Sequence, residues 1–312
     1  MINIRLTMTL AGIAICAPSF SYAGTIQLAA AAAFAKPHQR VDIGGRKINL
    51  FCTGTGTTTV LFDAPAGEAG WAWFKVQPDV AKYTRACIFD RAGFGFSDPA
   101  PRPNTSENAA EDLHKALSKA GIRSPYLLVG NSLGGGNVQV FAYTYPLEVK
   151  GLVLVEPQTE DETIRSNAVT AGLIDKIYAM VKAHDQQCLE AAHNGFKAGS
   201  EEVGEPEQYF GSALGKEVRS TMSTRTYWRT RVDEANASEA SDNQLRALRK
   251  PFGDLPVLVL TRGVNPYADP SKPQSAVNKA LEVENEKIHK ELAALSSRGQ
   301  QRIVVPEIET VV

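Results

Sequence analysis

Long apolar runs are missing from this chain of 312 residues. The one candidate, Leu6 to Ala17, is interrupted by Thr7 and Thr9 and falls short of the roughly 20 residues that span a bilayer. Excess charge is missing too: 33 lysines and arginines face 34 acids, and no basic block stands out. A nucleic-acid partner needs a basic face, so that class is set aside. Cysteine and histidine are scarce, at four and five, and none of their spacings resembles a metal site. No metal and no organic cofactor is expected.

What is present begins with an export pattern. Arg5 is the sole charge before Lys36, Pro18 ends the apolar run, and Ser21-Tyr22-Ala23 places small residues where a signal peptidase reads. Ile15 is too large for lipoprotein processing at Cys16. The pattern predicts a signal peptide over residues 1–23, a flexible tail over 24–37, and a secreted or periplasmic protein without stable membrane insertion. A second cleavage point lies after Ala35. The mature chain keeps Cys52, Cys87 and Cys188, in a compartment that permits disulfides.

From Val41 onward short apolar runs alternate with helical patterns. Strands are expected at Arg46–Cys52, Val60–Phe62, Ala86–Phe89, Tyr126–Val129, Leu152–Val155, Val257–Leu260 and Arg302–Val305. A helical stretch is expected at Trp71–Tyr83, and helical patterns mark Glu107–Ala120, Gly135–Tyr145 and Ser275–Leu295. This alternation argues a parallel sheet covered on both faces. Residues 158–250 break the rhythm: they show helical spacing and no strand, and their cluster Glu201, Glu202, Glu205 and Glu207 reads as a solvated loop. The chain therefore divides into a core, 38–157 and 251–312, and a helical cap, 158–250. Thr53-Gly54-Thr55-Gly56 lacks the Gly-Lys-Ser/Thr of a phosphate loop and is a strand connection.

Gly130-Asn131-Ser132-Leu133-Gly134 follows the strand Tyr-Leu-Leu-Val and opens a helix. In that context the serine is a candidate nucleophile on a sharp turn, with a helix N-terminus behind it to favour a developing oxyanion. The plainer reading is a serine that caps the helix. Asp90-Arg91-Ala92-Gly93-Phe94-Gly95-Phe96-Ser97-Asp98 stands about 40 residues earlier. On these two motifs the chain resembles the α/β-hydrolase superfamily, in its serine-nucleophile branch with a cap. The resemblance implies an α/β fold: an eight-stranded, mostly parallel twisted sheet flanked by helices, with the cap inserted after the sixth strand. It also implies oxyanion donors at Leu133 and at Ala66, in the loop Asp63-Ala64-Pro65-Ala66-Gly67, where Pro65 replaces the usual glycine. In the family's strand order Cys52 and Cys87 lie on neighbouring strands, within reach of a disulfide.

The acid stays open: Glu156 after the sixth strand is favoured, with Asp269 and Asp161 as alternatives. Trp71 and Trp73 stand near the oxyanion loop and either line an acyl pocket or pack the core. The family's base is a histidine just after the last strand, where this chain reads Pro306-Glu307-Ile308-Glu309-Thr310-Val311-Val312. No histidine elsewhere fits well: His289, about 14 residues into its helix, is expected roughly 20 Å below the active edge. His114 is set back in its helix, His38 precedes the first strand, and the remaining alternative is an approach of His184 or His193 from the cap above Ser132. The expectation is a hydrolase of small-molecule acyl esters that this chain performs poorly, with the core's C-terminal end incomplete. The alternatives are a ligand-binding protein without turnover, and a haloperoxidase-like or carbon–carbon-bond hydrolase.

Overall fold

The structure, a computed structural model, describes residues 31–196, 203–263 and 273–304. The signal segment, Asp269 and the stretch after the last strand lie outside the described residues.

Among the described residues eight strands form one sheet: β1 (Gln39–Asp42), β2 (Lys47–Thr53), β3 (Thr59–Asp63), β4 (Arg85–Phe89), β5 (Tyr126–Asn131), β6 (Val149–Val155), β7 (Val257–Arg262) and β8 (Gly299–Val304). Their order is β1-β2-β4-β3-β5-β6-β7-β8, and only β2 runs against its neighbours. All five residues of β3 are buried, because a central parallel strand is covered on both faces. The last strand starts three residues earlier than the apolar run predicted, at Gly299, because polar Gln300 and Gln301 pair with β7 at the sheet edge.

The helices are the single turn α1 (Gln77–Val80), then α2 (Ser106–Lys119), α3 (Leu133–Thr144), α4 (Glu162–Thr170), α5 (Leu173–Asn194), α6 (Pro206–Met222), α7 (Arg225–Asn236), α8 (Ser238–Leu248) and α9 (Ala276–Ala293). The Thr105 hydroxyl caps α2, which buries Ala110, Leu113, Ala116 and Leu117. That stripe joins Val138 and Phe141 of α3 and Leu128 and Leu152 of the sheet in one core cluster. The opposite face holds a second cluster in which Phe62, Trp71 and Trp73 meet Tyr227 and Trp228 of α7. Each fully buried large side chain contributes about 1.5–3 kcal/mol, so α7 is welded to the sheet through its aromatics.

Three expectations need correcting. Residues 31–37 are not a free tail: Ala31 and Phe34 are buried, and Phe34 packs edge-on against Phe51 at 5.1 Å. Cleavage after Ala35 would strip that contact. The cap does not extend to residue 250, because α8 lies on the core, with Leu245 in the first cluster and Ser241 Oγ accepting from the Ser106 N–H at 3.1 Å. Trp71 to Tyr83 is not one helix but a short 3-10 turn, Gly70–Trp73, followed by α1.

Cys52 faces Cys87 in the β2–β4 register and the two are joined by a disulfide, with Cα atoms 4.0 Å apart. Cys188 is buried in the cap as a thiol.

Candidate active site

Ser132 joins β5 to α3 with φ 51° and ψ −120°. A non-glycine residue there stores about 1–3 kcal/mol of strain and persists only where its surroundings impose the conformation. They do so through the backbone. The Ser132 N–H donates to Val155 O at 3.1 Å, and its carbonyl accepts from the N–H groups of Gly135 (2.8 Å) and Gln158 (2.9 Å). A Cβ on Gly130 would meet Gly134 O at 2.3 Å, and one on Gly134 would meet Asp63 O at 2.5 Å. Both neighbours are backbone atoms, so these positions exclude side chains. Asn131 turns away and donates to Val155 O at 3.2 Å.

The Ser132 side chain makes no capping bond to α3, which removes the plain capping reading. Nor does its Oγ hydrogen-bond any other described residue. The N–H groups of Leu133 and Ala66 are likewise without a hydrogen bond among the described residues. One stands at the start of α3 and the other on the loop after β3, which the Gly134 contact brings against the elbow. Two unengaged backbone donors beside a strained, half-buried hydroxyl make a site able to polarise a carbonyl.

The oxyanion loop is held from below and above. Arg91, 3% exposed, donates through Nη1 to Asp63 Oδ1 (2.7 Å) and Ala64 O (2.7 Å) and through Nη2 to Pro65 O (2.9 Å). Its Nε donates to Glu234 Oε1 of α7 at 2.9 Å, and Glu234 Oε2 accepts the Gly67 N–H at 2.7 Å. Asn137 Nδ2 donates to the other oxygen of Asp63 at 3.0 Å. From the cap, Tyr227 donates its hydroxyl to Gly67 O at 3.1 Å, and Arg231 lies where a Gly67 side chain would be, paired to Asp185 at 2.9 Å. Sequence reasoning missed this network. Its signal was the spacing Tyr227, Arg231, Glu234, one helical face of α7.

Glu156, with φ 44°, follows β6 beside Ser132. Oε1 accepts the Arg262 N–H at 2.6 Å, Oε2 pairs with the Arg262 guanidinium, and Asn285 donates at 3.3 Å. Arg262 is also paired to Glu282 at 3.1 Å. Asp161 is turned to Arg246 at 2.8 Å, away from the elbow. Glu162 nearby has its carboxyl pushed up to about 7 by burial and by the Glu156 charge.

None of the five histidines hydrogen-bonds Ser132. His38 stacks on Phe51, His114 stacks on Tyr145 and pairs with Glu148, and His184 packs against Cys188 and Trp228. His193 is exposed near the end of α5. His289 is not far below the site as its place in the helix suggested: its Nδ1 lies 3.0 Å from Thr261 Oγ1 and 3.7 Å from Glu156 Oε1. It is 1% exposed, and burial pushes its imidazole down to about 4. Trp71 and Trp73 are both buried, and Trp71 Nε1 donates to Glu68 at 2.8 Å. Among the described residues no group of His, Cys, Asp or Glu could hold a metal ion, and no helix is long and apolar enough to cross a membrane.

The sequence model of the alpha/beta hydrolase fold matches residues 50–271, most of the chain. The protein belongs to the α/β-hydrolase fold family. Curated relatives align over shorter stretches. An uncharacterised Bacillus subtilis protein, YbdG, is 30% identical over 118 residues, 37% of this chain and 36% of its own length. A 2-hydroxy-6-oxo-2,4-heptadienoate hydrolase of Pseudomonas putida is 34% identical over 119 residues, 36% of this chain and 41% of its own. The chain thus spans about two fifths or less of the length of these relatives. A solved Acinetobacter baumannii structure, provisionally titled a lipase, superposes with TM-score 0.61 at 18% identity, over 93% of this chain and 90% of that one. That likeness supports the α/β-hydrolase fold.

Proposed function

We propose that the protein is a serine hydrolase of ester-like acyl substrates, with Ser132 as nucleophile and the N–H groups of Leu133 and Ala66 as oxyanion donors. The observation that carries this reading is the strained Ser132, its hydroxyl unengaged among the described residues beside two backbone donors that are likewise unengaged there. Ser132 Oγ attacks the acyl carbonyl, the tetrahedral oxyanion sits on the two donors, and collapse expels the alcohol and leaves an acyl-serine that water cleaves. Of the two candidate acids among the described residues, Glu156 is held at the strand edge beside Ser132, whereas Asp161 pairs with Arg246. No imidazole reaches the hydroxyl, so the chain turns over slowly, about 10⁴- to 10⁶-fold below a complete triad. The export pattern and the Cys52–Cys87 disulfide support a secreted or periplasmic location.

The test is chemical rescue. Ester hydrolysis and fluorophosphonate labelling should lie near background without added base. Free imidazole should raise both in the native chain and leave Ser132→Ala at the solution rate. A native chain indistinguishable from Ser132→Ala at every imidazole concentration ends the nucleophile assignment. Rapid stoichiometric labelling without imidazole shows instead that a base is present. The heptadienoate hydrolase among the relatives supports including a vinylogous 1,5-diketone acid beside the esters, since the same serine and oxyanion donors suit carbon–carbon cleavage.

A further inference from the structure

Five neutral and charged acceptors converge on one buried guanidinium beneath the oxyanion loop, and one of them belongs to the cap. Asp63, Ala64 and Pro65 are residues of the loop itself, Glu68 O lies just beyond it at 3.4 Å, and Glu234 comes from α7. The same Glu234 carboxylate takes the Gly67 N–H with its second oxygen. Ala66, whose N–H is the second oxyanion donor on the reading above, is therefore fixed on both sides: through the Pro65 carbonyl on Arg91 and through the Gly67 amide on Glu234. Gly67 has φ 76°, and Arg231 fills the space a side chain would need, so the loop cannot relax into the cap.

We infer that Glu234 is a positioning residue for the oxyanion loop, so that seating of α7 on the core completes the second oxyanion donor. The inference rests on the assignment of Ala66 as a donor. The geometry gives it direction. A carboxylate buried to 4% exposure with a backbone N–H and a guanidinium as partners keeps both only while α7 is docked. Tyr227 and Arg231, two turns and one turn earlier on the same face, bring α7 to the same glycine. When α7 lifts, Gly67 loses its acceptor and its carbonyl donor together. Arg91 then keeps only Asp63 and the loop carbonyls.

The experiment compares Glu234→Ala, Glu234→Gln and Arg91→Lys with the native full-length chain. Hydrogen exchange at Gly67 should accelerate roughly 10- to 100-fold in Glu234→Ala, as expected for a lost charge-assisted bond. Exchange in β5 should stay native. Glu234→Gln retains one acceptor oxygen and should return most of the Gly67 protection. Arg91→Lys cannot span the same acceptors and should free the loop even if Glu234→Ala fails to fold. The second arm is the imidazole-rescued, Ser132-dependent ester rate. Glu234→Ala should lower kcat by about tenfold or more with KM nearly unchanged, because a displaced donor weakens the transition state and leaves ground-state binding alone. Native Gly67 exchange in Glu234→Ala, or equal acceleration in β5, overturns the inference. An unchanged kcat, or an effect confined to KM, in Glu234→Ala overturns it as well. If no Ser132-dependent rate exists, the nucleophile assignment fails by that arm, while the exchange arm still decides the network.

Discussion

Two alanine substitutions two and four residues after Ser132 should move stability in opposite directions. A Cβ at Gly134 would stand 2.5 Å from Asp63 O, 2.6 Å from Ala64 O and 2.7 Å from Asp63 C. Real Cβ atoms do not approach backbone so closely, and these atoms end a central strand and carry the Arg91 network. Gly134→Ala must push α3 away from β3 and should cost about 1–3 kcal/mol or more, the usual penalty for overpacking. At Gly136, on the same helix, the nearest atoms are Gln158 Cβ and O at 3.7 Å, ordinary contact. Gly136→Ala therefore keeps only the benefit of helix propensity and of a stiffer unfolded chain, a gain of about 0.5–1 kcal/mol. Urea unfolding of the two variants and the native chain, at equal m-value, measures both differences. For a domain of this size each kcal/mol is about 2–4 °C in Tm, so thermal melts should separate the variants clearly. A Gly134→Ala chain as stable as native, or a Gly136→Ala chain destabilised by more than about 1 kcal/mol, would refute the close approach of β3 and the elbow helix.

Protein from the native host should begin at Gly24, and intact mass checks it; a cytoplasmic chain still starting with Met1 would end the export reading. Thiol counting under denaturing, non-reducing conditions should find one titratable thiol per mature chain, that of Cys188, whereas three would contradict the Cys52–Cys87 bridge; reducing it should cost about 2–4 kcal/mol. Burial lowers His289 to about 4, so the unfolded chain binds its proton first and stability should fall as pH drops from about 6.5 to 4, by up to about 3 kcal/mol. Glu162, raised to about 7 by burial, acts in the opposite sense, stabilising at low pH and losing that contribution as pH rises from about 4.5 to 7. The difference between native and His289→Gln unfolding curves isolates the first slope, and a flat difference across that range would show that His289 is not desolvated.

The elbow was legible because its requirements are local. Strand, glycine, serine, glycine and helix follow one another, and Gly130 and Gly134 are forced by contacts with atoms four residues away or on the adjoining strand. The strand rhythm was legible for the same reason, since burial on both faces of β3 and β5 shows in the chain as apolar runs. The place of His289 was not. Rise per residue measures distance along a helix but does not say where the helix starts. The strand-end residue Thr261 meets His289 Nδ1, so His289 is level with the active edge, and Asn285 and Glu282, earlier in α9, reach Glu156 and Arg262 there. The same helix is where α4 docks, with Arg165 paired to Glu284 at 2.6 Å. The Arg91 network was invisible for a different reason. Arg91 is 143 residues from Glu234, and Gly67 is 167 from it. A charged residue at such a position reads as surface in any one-dimensional pattern, because burial of a charge is decided by its partner and not by its neighbours in the chain. Charges whose partners lie across the cap–core boundary are thus both the least legible feature of this sequence and the ones that set the loop beside Ser132. Breaking one of those pairs leaves a buried charge uncompensated, at a cost of about 3–5 kcal/mol, so an inserted cap is held to one seat by terms comparable to much of a domain's net stability.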